Sequence, residues 1–412
     1  MSQPIHVTSE VGRLRSVVVH APGPELLAVT PSNRQEYLYD DLIDLDGAQE
    51  EHRRFVSLLR RFAEVHEIRD LFAETLEVQA ARDFLLARSE EVTAYHSLSI
   101  ELANLPTDEL VRRYVEGYQL QTGAFSEALA QHAFVLPPLP NLFFSRDAAV
   151  IVSERVVISA MRFASRWPEE VILRTVLGFH PELGVADVLY DGSDERRHEF
   201  TLEGGDVHVL SPDVLLVGIS ERTTVAALDA LCESLFSENI ATDIIAVVLP
   251  SPSTAIHLDM VWTQVDRELC VVYAPLFQGP RRAPVLHRRR GEARATERTS
   301  LFTALADVDL PMEPIFCGGA HGATQDREQW ASGCNFFAVA PGQVLSYERN
   351  YETQRQLAQA GFRVIKGVDL LIGDAALDEG ERVVITFGGS ELVRGGGGPR
   401  CMTLPLRRDD VP

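Results

Sequence analysis

Apolar positions in this chain fall into short runs separated by turn-forming residues, and the runs recur in a fixed order. Residues 13–21, RLRSVVVHA, are a compact apolar stretch that predicts a buried strand, while 47–63, GAQEEHRRFVSLLRRFA, place Phe55, Leu59 and Phe62 on one face of a predicted helix. From 73 to 135 helix formers dominate, with Val78, Ala81 and Leu85 at helical spacing and a helix start at Thr107 after Pro106. Strand-like segments flank this region. It therefore reads as a small helical domain, 73–137, inserted between residues 1–72 and 138–412 of one larger unit.

Beyond residue 140 a module repeats. Residues 207–219, VHVLSPDVLLVGI, read as two strands around a Ser-Pro-Asp turn, then ERTTVAALDALCESLF as a helix and IIAVVLP as a strand. Residues 336–347, FFAVAPGQVLSY, repeat the hairpin around Ala-Pro-Gly, followed by a helical ERNYETQRQLAQAG and the strand FRVI. A looser copy runs from DAAVIVSERVVISAM through a helix opened by Pro168. Hairpin–helix–strand units repeated along one chain predict an α/β protein built as a cyclic array of modules. Arg222 and Arg349 follow two of the hairpins, with Arg162 and Arg166 near the matching place in the third, so such arginines can meet at a common centre. Arg349 reads instead as a solvated strand end.

Composition narrows the class of partner. The 412 residues hold 38 Lys plus Arg against 60 Asp plus Glu, a net charge of −22, which argues against nucleic acid or an anionic membrane as partner. No apolar run approaches the roughly 18 residues of a membrane span, and no early basic-apolar segment reads as a signal peptide. Cys232, Cys270, Cys317, Cys334 and Cys401 are odd in number and include no CxxC pair, so neither a disulfide framework nor a zinc site is indicated, and a cytoplasmic setting is expected.

Candidate chemistry gathers in four segments. GGGGPRCMT, Gly395–Thr403, sets Cys401 between a mobile-backbone glycine run and Arg400, whose charge would favour the nucleophilic thiolate. LPNLFFSRD carries Asn141, Phe144 and Asp147; EGGD carries Glu203 and Asp206 just before a strand; AIHLD sets His257 and Asp259 two apart. A nucleophile, a histidine and several carboxylates are the components of covalent catalysis. The glycine run lacks GK[ST] and a strand–GxGxxG–helix setting, so nucleotide binding is discounted. RRAPVLHRRR, Arg281–Arg290, reads as a solvated basic loop or a docking patch for an acidic partner.

HAPGPEL, TPSNRQEYLYDDL, LPNLFFSRD, EGGDV, ISERT, HLDMVWTQVD, DREQW, APGQVLSYERN and GGGGPRCMTLPLRRD, in this order, resemble the blocks of the arginine deiminase family from nearly end to end. The resemblance implies a five-bladed α/β propeller of guanidino-modifying enzymes with an inserted helical domain. It implies hydrolysis of L-arginine, a small-molecule substrate, to L-citrulline and ammonia, with Cys401 as nucleophile, His257 as general acid and base, and Glu203 hydrogen-bonded to the imidazole. Asp147 and Asp259 would grip the guanidinium, Arg166 and Arg222 the α-carboxylate, and Asn141 and Phe144 the amino end and aliphatic stem, with Arg162 competing for the place of Arg166. No metal and no other cofactor is implied, and a homo-oligomer is left open. The chain departs from the family at Gly396, where many relatives have arginine, in ASGCNFF, where relatives carry an acidic residue, and at Met260, a common threonine. Two other functions fit the same scaffold: an amidinotransferase, in which an amine resolves the intermediate, and a non-catalytic arginine-binding protein.

Overall fold

The computed structural model describes residues 4–411 apart from 94, 96, 120–124, 126–133, 185–187, 195–198, 251–254 and 379, so part of the segment 73–137 lies outside the described residues. Five of its small sheets share one plan, a central strand with an antiparallel neighbour on one side and a parallel neighbour on the other. Val207–Ser211 and Val214–Ile219 form the hairpin, the helix Val225–Ser237 crosses over, and Asp243–Val248 returns parallel to the second strand. Ala149–Val152, Arg155–Ile158, Trp167–Phe179 and Val188–Asp191 follow the same course. In the sheet of Phe337–Ala340 and Gln343–Tyr347, the strand Val383–Phe387 slips in beside the hairpin and Arg363–Lys366 takes the edge.

Two sheets on this plan were not among the copies read from the sequence. One joins Trp262–Asp266, Leu269–Val272 and Glu313–Phe316. Its signal is diluted because residues between its second and third strands leave to extend the neighbouring sheet. The other is assembled from both ends of the chain: Leu14–Val19 pairs parallel with Glu64–Glu67 and antiparallel with Leu404–Arg408. Pattern along the sequence cannot reveal a pair so far apart.

The basic stretch 281–290 is corrected too, since Val285–Arg289 is a strand antiparallel to Asp243–Val248. Alternation explains it: Val285 and His287 are buried, while Arg288 pairs with Asp229 and Glu233 of the crossover helix and Arg289 with Asp243. The helix predicted over 47–63 spans Leu45–Leu59, capped by the Asp44 carboxylate, which accepts from Gly47 N at 2.8 Å. Phe62 therefore lies beyond its end. Phe55 stacks on Phe387 at 4.9 Å, joining the helix to the sheet beneath it. Helices Ile68–Leu76, Gln79–Thr93 and Thr107–Glu116 bury Phe72, Leu85 and Tyr114 in one apolar cluster with Ile172 and Val176 of the helix Trp167–Phe179.

What positions the site is the entry to each hairpin. Asp147 precedes Ala149–Val152, Glu203 and Asp206 precede Val207–Ser211, and His257 and Asp259 precede Trp262–Asp266. Asn335 precedes Phe337–Ala340, and Cys401 precedes Leu404–Arg408. Each of the five sheets thus presents polar residues from the same place in its plan.

Candidate active site

Cys401 is buried. Its Sγ accepts from Asn335 Nδ2 at 3.1 Å and lies 3.5 Å from Asp259 Oδ2, and its carbonyl accepts from Arg146 N at 3.0 Å. The glycines before it lie on the Phe144 ring, where a Cβ on Gly397 would come within 2.4 Å of a ring carbon, so only glycine permits this approach. Gly396 has φ +85 and faces open space.

The electrostatics around Cys401 differ from the sequence reading. Arg400 was expected to favour the thiolate, but its guanidinium turns away to Glu10 at 3.0 and 3.2 Å, Asp259 Oδ2 at 2.9 Å and the Val207 carbonyl at 2.7 Å. Burial, then Asp259, then Asp147 push the thiol well above its ordinary range, and Arg400 offsets only part of this. These surroundings favour the thiol form of Cys401.

His257 Nε2 sits 2.9 Å from Glu203 Oε2, and Nδ1 lies 3.7 Å from Asp147 Oδ1. Burial works against the imidazolium, but Asp147, Glu203 and Asp206 outweigh it and raise the imidazole to about 9. Glu203 stays ionised although buried, because Arg222, His257 and Arg166 together overcome the desolvation. Gly205 lies flat against the ring, where a Cβ would meet Nδ1 at 2.6 Å. Asp206, given no role from the sequence, accepts from Leu258 N at 2.8 Å and from Ser220 Oγ at 2.6 Å, so it holds the chain between His257 and Asp259. Burial raises Asp206 to about 6.

Arg166 is buried, donating to Asp147 Oδ2 at 2.9 Å and through Nε and Nη2 to Glu169 at 3.0 and 2.8 Å. Arg162 is half-buried and brings its backbone N to Glu203 Oε1 at 2.9 Å. Arg222 donates to Glu203 Oε2 at 3.1 Å, lies over the Phe163 ring at 4.8 Å, and keeps an Nε without a hydrogen-bond partner among the described residues. Asn141 Nδ2 donates to the Tyr37 carbonyl at 2.8 Å, which anchors the turn leading to Phe144. Arg349 is exposed.

Asp147, Glu203 and His257 could each offer one ligand atom to a metal, all within 4.8 Å of one another. Arg166 and Arg222 already occupy the same carboxylates, so a dication there would face two guanidinia at close range. The donor set does not suit a resident metal. More telling are Asp147 Oδ1 and Asp259 Oδ1, buried oxygens with no hydrogen-bond partner among the described residues, on the two carboxylates whose charges act on the thiol. Such oxygens call for a donor-rich cation.

A family model described as arginine deiminase matches residues 35–408. The chain belongs to the arginine deiminase family. It is 34% identical to the arginine deiminase of Rhodococcus opacus (strain B4), covering 100% of this chain and 99% of that one, and 33% identical to that of Bacillus cytotoxicus with both chains fully covered. Membership makes it a hydrolase of the C–N bond of a linear amidine. Among solved structures, SxtG, an amidinotransferase from Microseira wollei, aligns with a TM-score of 0.55 at 13% identity over 99% of this chain and 98% of that one. DDAH from Pseudomonas aeruginosa, complexed with citrulline, aligns at 0.52 and 14% over 95% and 99%. These two share the mixed α/β fold of the family. Among the described residues no helix is long and apolar enough to cross a membrane.

Glu10, Glu169 and Asn335 were not read as site residues. Glu10 lies in a mixed N-terminal segment, HVTSEVGR, with no motif, and Glu169 resembles an ordinary first-turn helix acid. Asn335 sits in a segment noted only for its missing acidic residue.

Proposed function

We propose that the protein hydrolyses free L-arginine to L-citrulline and ammonia through a thiouronium on Cys401. One observation carries this reading: one oxygen each of Asp147 and Asp259, the carboxylates whose charges act on the buried thiol, is buried and without a hydrogen bond among the described residues. A guanidinium between them supplies N–H donors to both and brings the positive charge that the thiol lacks. The thiol proton then passes to solvent as the cation binds, because the carboxylates that opposed the thiolate are neutralised.

The thiolate attacks the central guanidinium carbon, forming the C–S bond. His257, held as imidazolium by Glu203, protonates one amino group, the C–N bond breaks and ammonia leaves. The neutral imidazole then takes a proton from water, the hydroxide adds to the thiouronium carbon, and the C–S bond breaks to return the thiolate while the hydroxyl proton passes to solvent and citrulline is released. Arg222, with its open Nε, and Arg166 hold the α-carboxylate, and Phe144 and Asn141 flank the stem and amino end.

The five like sheets, each contributing from its hairpin entry, support a five-bladed propeller around this site, with 73–137 as an inserted helical domain and 1–72 with 138–412 as the catalytic unit. The five free cysteines suit a cytoplasmic protein. Product analysis with arginine alone, and then with added glycine, tests the function. Citrulline from arginine alone is expected; an amidino-glycine product would make the protein an amidinotransferase, and arginine bound but unchanged would make it a binding protein.

Gly205→Ala tests the placement of the imidazole. Its Cβ would overlap the ring and turn His257 off Glu203, so kcat should fall by roughly 10²-fold or more, the usual scale of positioned acid–base catalysis. A folded variant, checked by circular dichroism, with kcat within a few-fold of the parent would show that the ring is not held from this side.

A further inference from the structure

We propose that Asn335 is a further catalytic residue, whose side-chain amide donates to Cys401 Sγ as the thiolate forms and holds it in line for attack. The proposal rests on the reading of Cys401 as nucleophile. Asn335 is fully buried, and its hydrogen bonds assign both ends of the amide. Oδ1 accepts from two main-chain groups, Arg400 N at 2.9 Å and Cys401 N at 3.3 Å, so it must face the backbone of the nucleophile loop. That leaves Nδ2 toward the Asp259 carbonyl and Cys401 Sγ, both at 3.1 Å, and its two hydrogens match these two acceptors. One amide therefore fixes the backbone of the nucleophile, the sulfur itself and the residue that faces it.

The surroundings of Sγ on balance oppose the thiolate, which gives this donor its role. Asp259 and Asp147 oppose a negative sulfur, Arg400 is engaged by Glu10 and Asp259, and the Tyr347 hydroxyl donates to the Gly397 carbonyl at 3.2 Å. Arriving substrate neutralises the two carboxylates, but it lies on the side from which the carbon is attacked. Beside the Gly398 backbone N–H, Asn335 Nδ2 is a neutral side-chain donor to the sulfur, and a donor that adds no charge can stay in place through both the thiolate and thiouronium stages. Its approach is also built in: a Cβ on Gly398 would come within 2.7 Å of Asn335 Oδ1, so the glycine run leaves room for this side chain. Position in the fold agrees, since Asn335 stands at the hairpin entry of its sheet as Asp147, Asp206, Asp259 and Cys401 do in theirs.

The test uses Asn335→Asp, which keeps the shape and the acceptor for the two main-chain groups, and Asn335→Ala, which removes both ends. Hydrogen bonds to charged groups are worth about 10–100-fold, so alkylation of Cys401 by 2-chloroacetamidine at pH 8 should slow by at least about 10-fold in both variants. Arginine kcat should fall by a similar or larger factor, with KM within a few-fold. A merely structural asparagine would lower the melting temperature or raise KM and leave the alkylation rate of folded protein unchanged, and that result would overturn the proposal. If a variant does not fold, the parent labelled with ¹⁵N-asparagine decides: one Asn335 side-chain amide proton should move downfield when 2-chloroacetamidine or arginine enters, and no movement would sink the idea. Failure of the arginine reading is separable, because the parent would then make no citrulline while the alkylation difference remained.

Discussion

Cys401→Ala is expected to bind L-arginine and release no citrulline. The substitution removes Sγ alone, while Asp147, Asp259, Arg166 and Arg222 keep their partners, none of which is the thiol except the Asp259 contact at 3.5 Å. Loss of that contact leaves Asp259 still held by Arg400, so the cage for the guanidinium should survive. Binding, read by calorimetry, should stay within about 10-fold of the parent KM, whereas removing a covalent nucleophile costs about 10⁴-fold or more in rate. Acid quenching of the parent during turnover should show arginine less ammonia attached to Cys401 by mass spectrometry. Citrulline formed by the purified variant at near-parent rate would end the covalent mechanism.

The local modules were legible where apolar runs meet strong turns. Ser211-Pro212-Asp213 and Ala340-Pro341-Gly342 break continuous apolar stretches at their midpoints, and both hairpins fold where the pattern puts them. Closure of the sheet of Leu14–Val19 with Leu404–Arg408 was not legible, because no local signal pairs segments from opposite ends of a chain. The basic stretch misled for a related reason. Read alone, Arg288, Arg289 and Arg290 look solvated, yet Asp229, Glu233 and Asp243 pair with the first two, and the backbone runs as a strand between Asp243–Val248 and Thr296–Arg298.

Within the site, residue types were legible and directions were not. Cys401, His257, Glu203, Asp147 and Asp259 stood out as polar groups among apolar or glycine neighbours, and the structure brings all five together. Adjacency to Cys401 suggested that Arg400 would activate the thiol. Residues 399–402 form a turn, however, and from it Arg400 leaves the sulfur to reach Glu10 and Asp259. On the proposed mechanism the thiol depends on its ligand, so that arginine would supply part of the activation of its own attacker.

Discrimination between arginine and agmatine, its decarboxylated analogue, is expected to be about 10⁴-fold in kcat/KM, the scale seen when a site built around a polar group meets a ligand lacking it. Arg222 is the more informative of the two carboxylate-holding candidates. Arg166 has Nη1 on Asp147 and a two-point hold on Glu169, whereas Arg222 keeps its buried Nε unpartnered. A substrate carboxylate would fill that vacancy, and agmatine would leave it empty at a cost of about 1–3 kcal/mol for each buried donor without a partner. Arg222→Ala should also slow both substrates, because Arg222 helps keep Glu203 ionised beneath His257. The ratio of kcat/KM for the two ligands cancels that shared loss, so it isolates the carboxylate contact, and it should collapse by about 10²-fold in the variant. A parent equally active on arginine and agmatine would show that no arginine reads the carboxylate, and an unchanged ratio in Arg222→Ala would move the contact to Arg166 or Arg162.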